Sequence, residues 1–438
     1  MRSAQRCEVI DMRTLRRGMS GTDVMEIQAL LKKLGYNPGA VDGVFGPGTQ
    51  NAVIRFQRNF GLSPDGVVGP ETYRALEPFL MGYDRYTVRP GDTFYNIARR
   101  YRTSLALILA ANPGLNPRDL RSGQEIVVPY GIDVVDTNID YTYEIMERDI
   151  EGLKARYPFI ETGVAGRSVL GRNLYYIRLG VGPNQVFYNA AHHALEWITS
   201  PLLMKFTEQF SKAYAEGRTM PGGYRPRSIW DASSIYIIPM VNPDGVELVL
   251  NGLAPDNPYY QDLLRWNGGS ADFSSDWESN NRGVDLNHNY NAAWEESKAA
   301  EASYGITGPG PTRYSGPYPE SEPESKAVAD FTRSHDFRLV LAYHTQGEVI
   351  YWNFMNMAPP EARTIGEAFS RDSGYTLDQT TGIASFAGYK DWFIQDYRRP
   401  GYTIEAGRGQ NPLPISQFDQ IYNDNIRLLL HASVITQQ

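Results

Sequence analysis

A single cysteine, Cys7, stands among 438 residues. It can close no disulfide within the chain, which excludes a disulfide scaffold, a zinc–cysteine cluster and two-thiol chemistry. No run approaches the ~18 consecutive apolar residues of a membrane span, so insertion into a bilayer is not expected. Met1–Arg17 carries charges but lacks the apolar stretch, about 7–15 residues long, of a secretory signal. Basic blocks are missing as well. With 42 Lys and Arg against 50 Asp and Glu the formal net charge is −8, which argues against nucleic acid or an anionic membrane surface as the main partner. Histidine is scarce, six in all, so any gathering of them carries weight. Tyrosine, in contrast, is plentiful at 29 residues and suits sugar-like or peptide ligands. The length exceeds what one hydrophobic core usually supports, and roughly two to four domains are expected.

The first unit shows an internal echo. Val41-Asp42-Gly43-Val44-Phe45-Gly46-Pro47-Gly48-Thr49 returns as Pro64-Asp65-Gly66-Val67-Val68-Gly69-Pro70-Glu71-Thr72. Asp-Gly supplies turn chemistry, Gly-Pro stops the chain, and Thr49 and Thr72 are candidate caps for helices over 50–60 and 73–76. Val24, Ile27, Leu30, Leu31 and Leu34 recur at helical spacing up to Gly35. A small three-helix bundle over 12–80 is predicted. With Gln28, Gly35-Tyr36, Phe56-Gln57 and Gly61-Leu62, the pattern closely resembles the peptidoglycan-binding type 1 domain.

A second unit, 85–131, opens at Tyr86-Thr87-Val88-Arg89-Pro90-Gly91-Asp92-Thr93 and closes at Gly123-Gln124-Glu125-Ile126-Val127-Val128-Pro129. Asp92 or Thr93 can cap a first helix and Asn112-Pro113 can stop a second, giving a βααβ order. This resembles a LysM domain, and the resemblance implies binding to N-acetylglucosamine-containing glycan.

The remainder, 136–438, alternates apolar strand candidates (186–189, 234–240, 339–344 and 401–405) with longer helical ones, which predicts an α/β sheet with function at strand ends. His193-Ala194-Leu195-Glu196 places an imidazole and a carboxylate three apart, on one face if a helix starts there. A zinc ion accepts both and needs a third ligand plus an open position; His344, directly after the apolar run 339–343, can provide it. His192, four from Glu196, competes with His193. His335 and His431 stand singly on helical stretches and read as structural. Asn242-Pro243-Asp244-Gly245 reads as a turn.

The segments around these residues resemble the M14 metallocarboxypeptidases. Ala191–Ile198 is similar to that family's zinc-binding segment, Val284-Asp285-Leu286-Asn287 to its substrate-binding segment, Tyr343-His344-Thr345-Gln346 to the site of its third ligand, and Tyr402-Thr403-Ile404-Glu405 to that of its catalytic glutamate. The resemblance implies an α/β fold with a central mixed eight-stranded sheet. It also implies one Zn2+ held by His193, Glu196 and His344, with Glu405 as general base. Departures from the pattern are informative. His288 stands where exopeptidases place the arginine that grips a terminal carboxylate, Leu195 replaces an arginine inside the zinc motif, and Glu278 aligns with a carbonyl-polarising arginine. Arg282 or Arg265 is a candidate compensation, and Tyr389 a candidate for the family's mobile tyrosine. Substrate contacts are thus expected from Asn287, His288, Arg282 and Tyr389.

These losses, with the wall-binding modules, fit a relative of the γ-D-glutamyl-L-diamino acid endopeptidases, which cut between D-glutamate and meso-diaminopimelate in peptidoglycan stem peptides. The alternatives are a zinc carboxypeptidase on ordinary or cell-wall peptides and a non-catalytic wall-binding protein. Glycan and stem peptides are the expected partners, and the cell wall or spore, outside the cytoplasm, the expected location.

Overall fold

The structure is a computed structural model that describes residues 13–382 and 386–435. Cys7, the ends of the first and last predicted domains and part of the segment 381–392 lie outside the described residues. The sequence echo becomes a repeated anchor. In the first copy the buried Gln28 amide donates to Asp42 Oδ1 (2.9 Å), Val44 O and Thr49 Oγ1, and its carbonyl accepts from Gly43 N. In the second, Gln57 repeats each contact with Asp65, Val67, Thr72 and Gly66. Each helix therefore holds the turn that starts the next. The threonines are not caps as expected: Gly46 and Gly69 occupy the cap positions, with Pro47 and Pro70 in the first turns of helices Pro47–Asn59 and Pro70–Met81. Proline fits there because its missing N–H would have had no helical partner. With Thr22–Lys33 these helices enclose Leu15, Val24, Ile27, Phe45, Val53, Phe56, Val68 and Leu76.

Strand β1 (Tyr83–Thr87) pairs antiparallel with β2 (Glu125–Pro129). Between them lie helices Phe94–Arg100 and Leu105–Ala111, capped by Thr93 and Ser104, whose hydroxyls accept from Asn96 N and Leu107 N. The βααβ order is as the sequence predicts.

The third unit is built on one mixed sheet of eight strands: β3 (Glu161–Arg167), β4 (Asn173–Leu179), β5 (Asn184–Ala190), β6 (Ser233–Ile238), β7 (Phe337–His344), β8 (Val349–Tyr351), β9 (Thr376–Asp378) and β10 (Gly401–Glu405). Their spatial order is β3-β4-β6-β5-β7-β10-β8-β9. The central strands β6, β5, β7 and β10 run parallel, and being covered on both faces they read as near-continuous apolar runs. One core cluster includes Tyr188, Leu202, Phe206, Ile237 and Leu341, the other Phe187, Tyr236, Val328 and Trp392. From β5 the chain goes on to β6 on one side, and from its other neighbour β7 it goes on to β8 and β10 on the opposite side. That creates a switch point at the carboxyl end of β5, where open α/β sheets form a crevice.

The N-terminal units pack against this domain. Ala29 and Leu107 join its larger core cluster. Helix Tyr143–Arg156 crosses helix Pro70–Met81 at Gly152, where a Cβ would come within 2.6 Å of Met81 O. Glu26 pairs with Arg148, with side chains only 7% and 13% exposed, and Lys33 reaches Asp136 at 2.6 Å. A buried ion pair contributes little net stability over an apolar pair, but removing one partner strands a charge. Glu26→Ala should therefore lower stability by about 3–5 kcal/mol in urea unfolding. Glu151→Ala, which breaks the exposed Lys154–Glu151 pair, should cost under ~1 kcal/mol. Equal small losses would mean that the bundle does not dock through Arg148.

Candidate metal centre

Three strand ends supply the centre. Leaving β5, the chain turns at Ala191, whose φ of 53° is unusual for a residue with a Cβ. The turn is held by Thr199, whose hydroxyl accepts from Ala191 N and donates to Glu196 O. Rather than a helix, a short 3₁₀ turn, Ala194–Glu196, carries the glutamate; the long helix starts only at Thr199. His344 closes β7, and Glu405, its neighbour across the parallel ladder, closes β10.

These elements bring His193, Glu196 and His344 together, each offering a donor atom within 4.8 Å of the others. His193 Nδ1 lies 3.0 Å from Glu196 Oε1, and His344 Nδ1 lies 2.8 Å from Glu196 Oε2. Asn411 steadies the carboxylate from the side through Nδ2 at 3.5 Å while donating to Thr345 O. His193 Nε2 stands 3.2 Å from Asp285 Oδ1, the outer contact that fixes ring orientation in histidine metal ligands. Burial alone would lower the His193 pKa, but Glu196 and Asp285 hold it well above its ordinary value. The spot therefore favours positive charge, and two imidazoles with one carboxylate facing it suit Zn2+. His192, the rival ligand, is fully buried behind the trio, its Nε2 2.9 Å from the Tyr290 hydroxyl, and burial lowers its pKa.

Burial and the neighbouring Glu196 push the Glu405 carboxyl well above the usual carboxylate range, against the pull of His193; Glu278 adds to the rise. Glu278 itself belongs to the centre. One of its carboxylate oxygens comes within 4.8 Å of donor atoms of His193 and Asp285, its side chain accepts from the Thr312 hydroxyl, and its backbone carbonyl accepts from Ala194 N at 2.9 Å. Asn242 is more than a turn residue. It caps helix Pro243–Asn251, and its amide reaches His192 O and Glu278 O.

The expected substrate contacts are placed differently. Tyr389 is wholly buried, its hydroxyl 2.9 Å from Thr332 Oγ1, so it has neither the access nor the freedom of a mobile tyrosine. Arg282 donates to the Tyr259 hydroxyl and lies 3.7 Å from Glu322, while Arg265 pairs with Asp262 within its own helix. Both side chains thus have partners within the chain. His288 is buried, its Nδ1 3.1 Å from Phe386 O and its Nε2 4.0 Å from Asp285. Asn287 lies beside it and accepts from Tyr389 N through Oδ1. His335 is stacked between aromatic rings and His431 lies 2.6 Å from Asp372, structural settings both.

A mixed eight-stranded sheet with two histidines, a glutamate and a free carboxylate at its switch point defines a zinc metallopeptidase. The zinc carboxypeptidase family profile matches residues 146–428, and the chain belongs to that family. Residues 20–76 match a peptidoglycan binding domain and 86–129 a LysM domain. The chain is 43% identical to gamma-D-glutamyl-L-diamino acid endopeptidase 1 of Lysinibacillus sphaericus over 395 residues, 78% of this chain and 98% of that protein. It is 43% identical to the spore cortex-lytic enzyme of Bacillus cereus over 86 residues, covering 20% of this chain and 33% of that protein. Bovine thrombin-activatable fibrinolysis inhibitor, in complex with tick carboxypeptidase inhibitor, shares the fold with TM-score 0.51 at 19% identity, over 68% of this chain and 97% of that one. Among the described residues no helix is long and apolar enough to cross a membrane.

Behind the substrate-binding loop, Glu324 is fully buried and accepts from Val169 N at 2.9 Å and Asn280 Nδ2 at 3.2 Å. Burial, helped by Asp244 and Glu322 and opposed by the Val169 bond, raises its pKa from 4.5 to about 8. The folded protein thus keeps a proton that the unfolded chain loses. This contribution to stability is fully present below pH 4.5 and fades as pH rises to about 8, with a slope of at most about 1.4 kcal/mol per pH unit. Glu324→Gln should flatten that fall in urea unfolding at pH 5 and pH 8; an unchanged slope would show that Glu324 ionises in the folded state.

Proposed function

We propose that the protein is a zinc endopeptidase that hydrolyses the γ-D-glutamyl–meso-diaminopimelate amide of peptidoglycan stem peptides. The observation that carries this reading is the charge of the pocket. Where the exopeptidase pattern has one arginine that polarises the scissile carbonyl and another that grips the terminal carboxylate, this chain has Glu278 and the buried His288. The likeness to the Lysinibacillus endopeptidase, which runs through nearly all of that protein, supports the same bond. The two N-terminal modules would hold wall glycan and place the enzyme at the cell wall or spore, outside the cytoplasm.

His193 and His344, through their Nδ1 atoms, and Glu196 would hold the metal. Bound there, zinc supplies a Lewis acid that polarises the scissile carbonyl and acidifies water. Asp285 keeps the proton of His193 on Nε2, leaving Nδ1 free to ligate. Glu405 accepts a proton from the attacking water and delivers it to the amine of the diamino acid as the C–N bond breaks, leaving the γ-carboxylate of glutamate. Burial and the neighbouring Glu196 raise its pKa, against the pull of His193, the kind of environment in which general bases are found. Asn287 and His288 would border the amine side of the pocket.

Mass spectrometry of L-Ala-γ-D-Glu-meso-diaminopimelate incubated with the zinc-loaded protein tests the bond. L-Ala-D-Glu should appear with the unaltered chain. Glu405→Gln should bind the same zinc but turn over about 100- to 10,000-fold more slowly. Release of single C-terminal residues from ordinary peptides, without a cut beside D-glutamate, would point to a carboxypeptidase. Bound zinc without turnover on any muropeptide would leave a wall-binding protein.

A further inference from the structure

A γ-linked D-glutamate carries a free α-carboxylate on the acyl side of the scissile amide, because the chain runs through its side chain. An α-linked peptide has no anion there. A pocket bordered by Glu196, Glu278, Asp285 and Glu405 repels such a group unless a cation stands close. Most arginines around it are committed: Arg282 to Tyr259 and Glu322, Arg265 to Asp262, and Arg408 to Glu348 at 2.5 Å.

Arg313 differs. It is half-buried, and its side chain has no ion pair, hydrogen bond or aromatic partner among the described residues. Its root is nonetheless clamped to the centre. The preceding Thr312 donates its hydroxyl proton to Glu278, Arg313 N donates to Asp285 Oδ2 at 2.8 Å, and Asp285 N donates to Tyr314 O at 2.8 Å. Asp285 is the carboxylate that orients His193. The backbone at Arg313 is left-handed, φ 64°, which disfavours a residue with a Cβ. A charged side chain without a partner is thus rooted on a strained, pinned segment one carboxylate away from a metal-ligand histidine.

Resting on the endopeptidase reading above, we propose that Arg313 recognises the free α-carboxylate of the γ-linked D-glutamate and selects for that linkage. A planar guanidinium suits a two-bonded pair with a carboxylate. The pairing places the substrate's one acyl-side anion against the arginine beside Asp285 that has no side-chain partner among the described residues.

The test compares kcat and KM for L-Ala-γ-D-Glu-meso-diaminopimelate and for the same peptide with the glutamate α-carboxylate amidated. The full zinc-loaded chain, Arg313→Asn and Arg313→Lys are measured side by side with their zinc content. Asparagine tolerates left-handed backbone, so it removes the charge and spares the turn. The unaltered protein should favour the carboxylate peptide about 10- to 100-fold in kcat/KM. Arg313→Asn should bring the two peptides to near parity, mainly through KM and with zinc retained. Arg313→Lys should keep a several-fold smaller preference than arginine, and it carries the test alone should the asparagine variant not fold. The inference is overturned if the unaltered protein shows no preference, if either variant keeps it in full, or if both peptides slow equally. Failure of the unaltered protein to cut either peptide would instead overturn the endopeptidase reading.

Discussion

One carboxylate holds two imidazoles. Glu196 meets His193 with one oxygen and His344 with the other, and these rings come from chain segments that only the sheet can join. His344 ends β7 and His193 follows β5, strands that lie side by side in parallel register with Ala190 beside Tyr343. A slip of one residue would turn His344 to the opposite face of the sheet. The pairing of the buried strands β5 and β7 therefore does more than fill the core. It sets the register on which the trio, and Glu405 one strand further on, depend.

Docking of the N-terminal units follows a similar logic of few, costly contacts. A tether between a wall-binding module and an enzyme needs no specific interface. Here the Glu26–Arg148 pair is nearly sealed from solvent, and a glycine at the helix crossing admits the Met81 carbonyl. Such features are expensive to leave unpartnered. They hold the modules at a fixed place on helix Tyr143–Arg156, so bound glycan would be presented to the sheet with a defined orientation rather than merely nearby.

Much of this was legible in the sequence because it is local. The Asp-Gly and Gly-Pro echoes, the apolar runs of β5, β6, β7 and β10, and the three-residue step from His193 to Glu196 all lie within short windows. What the sequence concealed is what folding joins across distance. Gln28 and Gln57 look like ordinary helix residues until their amides are seen threading the following turns. Asn411 reaches Glu196 across 215 residues. Tyr389 stood as a candidate mobile tyrosine because nothing local reveals which way the helix Tyr389–Tyr397 faces. The helix turns Tyr389 into the core against His192 and Thr332. Arg282 shows the converse, since nothing local reveals that Glu322 lies 3.7 Å from it.

Charge decides between the readings that the fold alone permits. The fold is shared by exopeptidases, which must hold a terminal carboxylate beside the metal. In this chain the donor trio is ringed by Glu278, Asp285 and Glu405, and the His288 ring is taken up by Phe386 O and Asp285. A single divalent cation shared with Glu196 does not balance that many carboxylates, so at least one must keep a proton or meet a positive group on the substrate. Raised pKa directions at both Glu278 and Glu405 express the same imbalance. Such a ring of carboxylates disfavours a substrate carboxylate that no cation meets. Charge, which the shared sheet leaves open, therefore separates this pocket from one built to grip a terminal carboxylate.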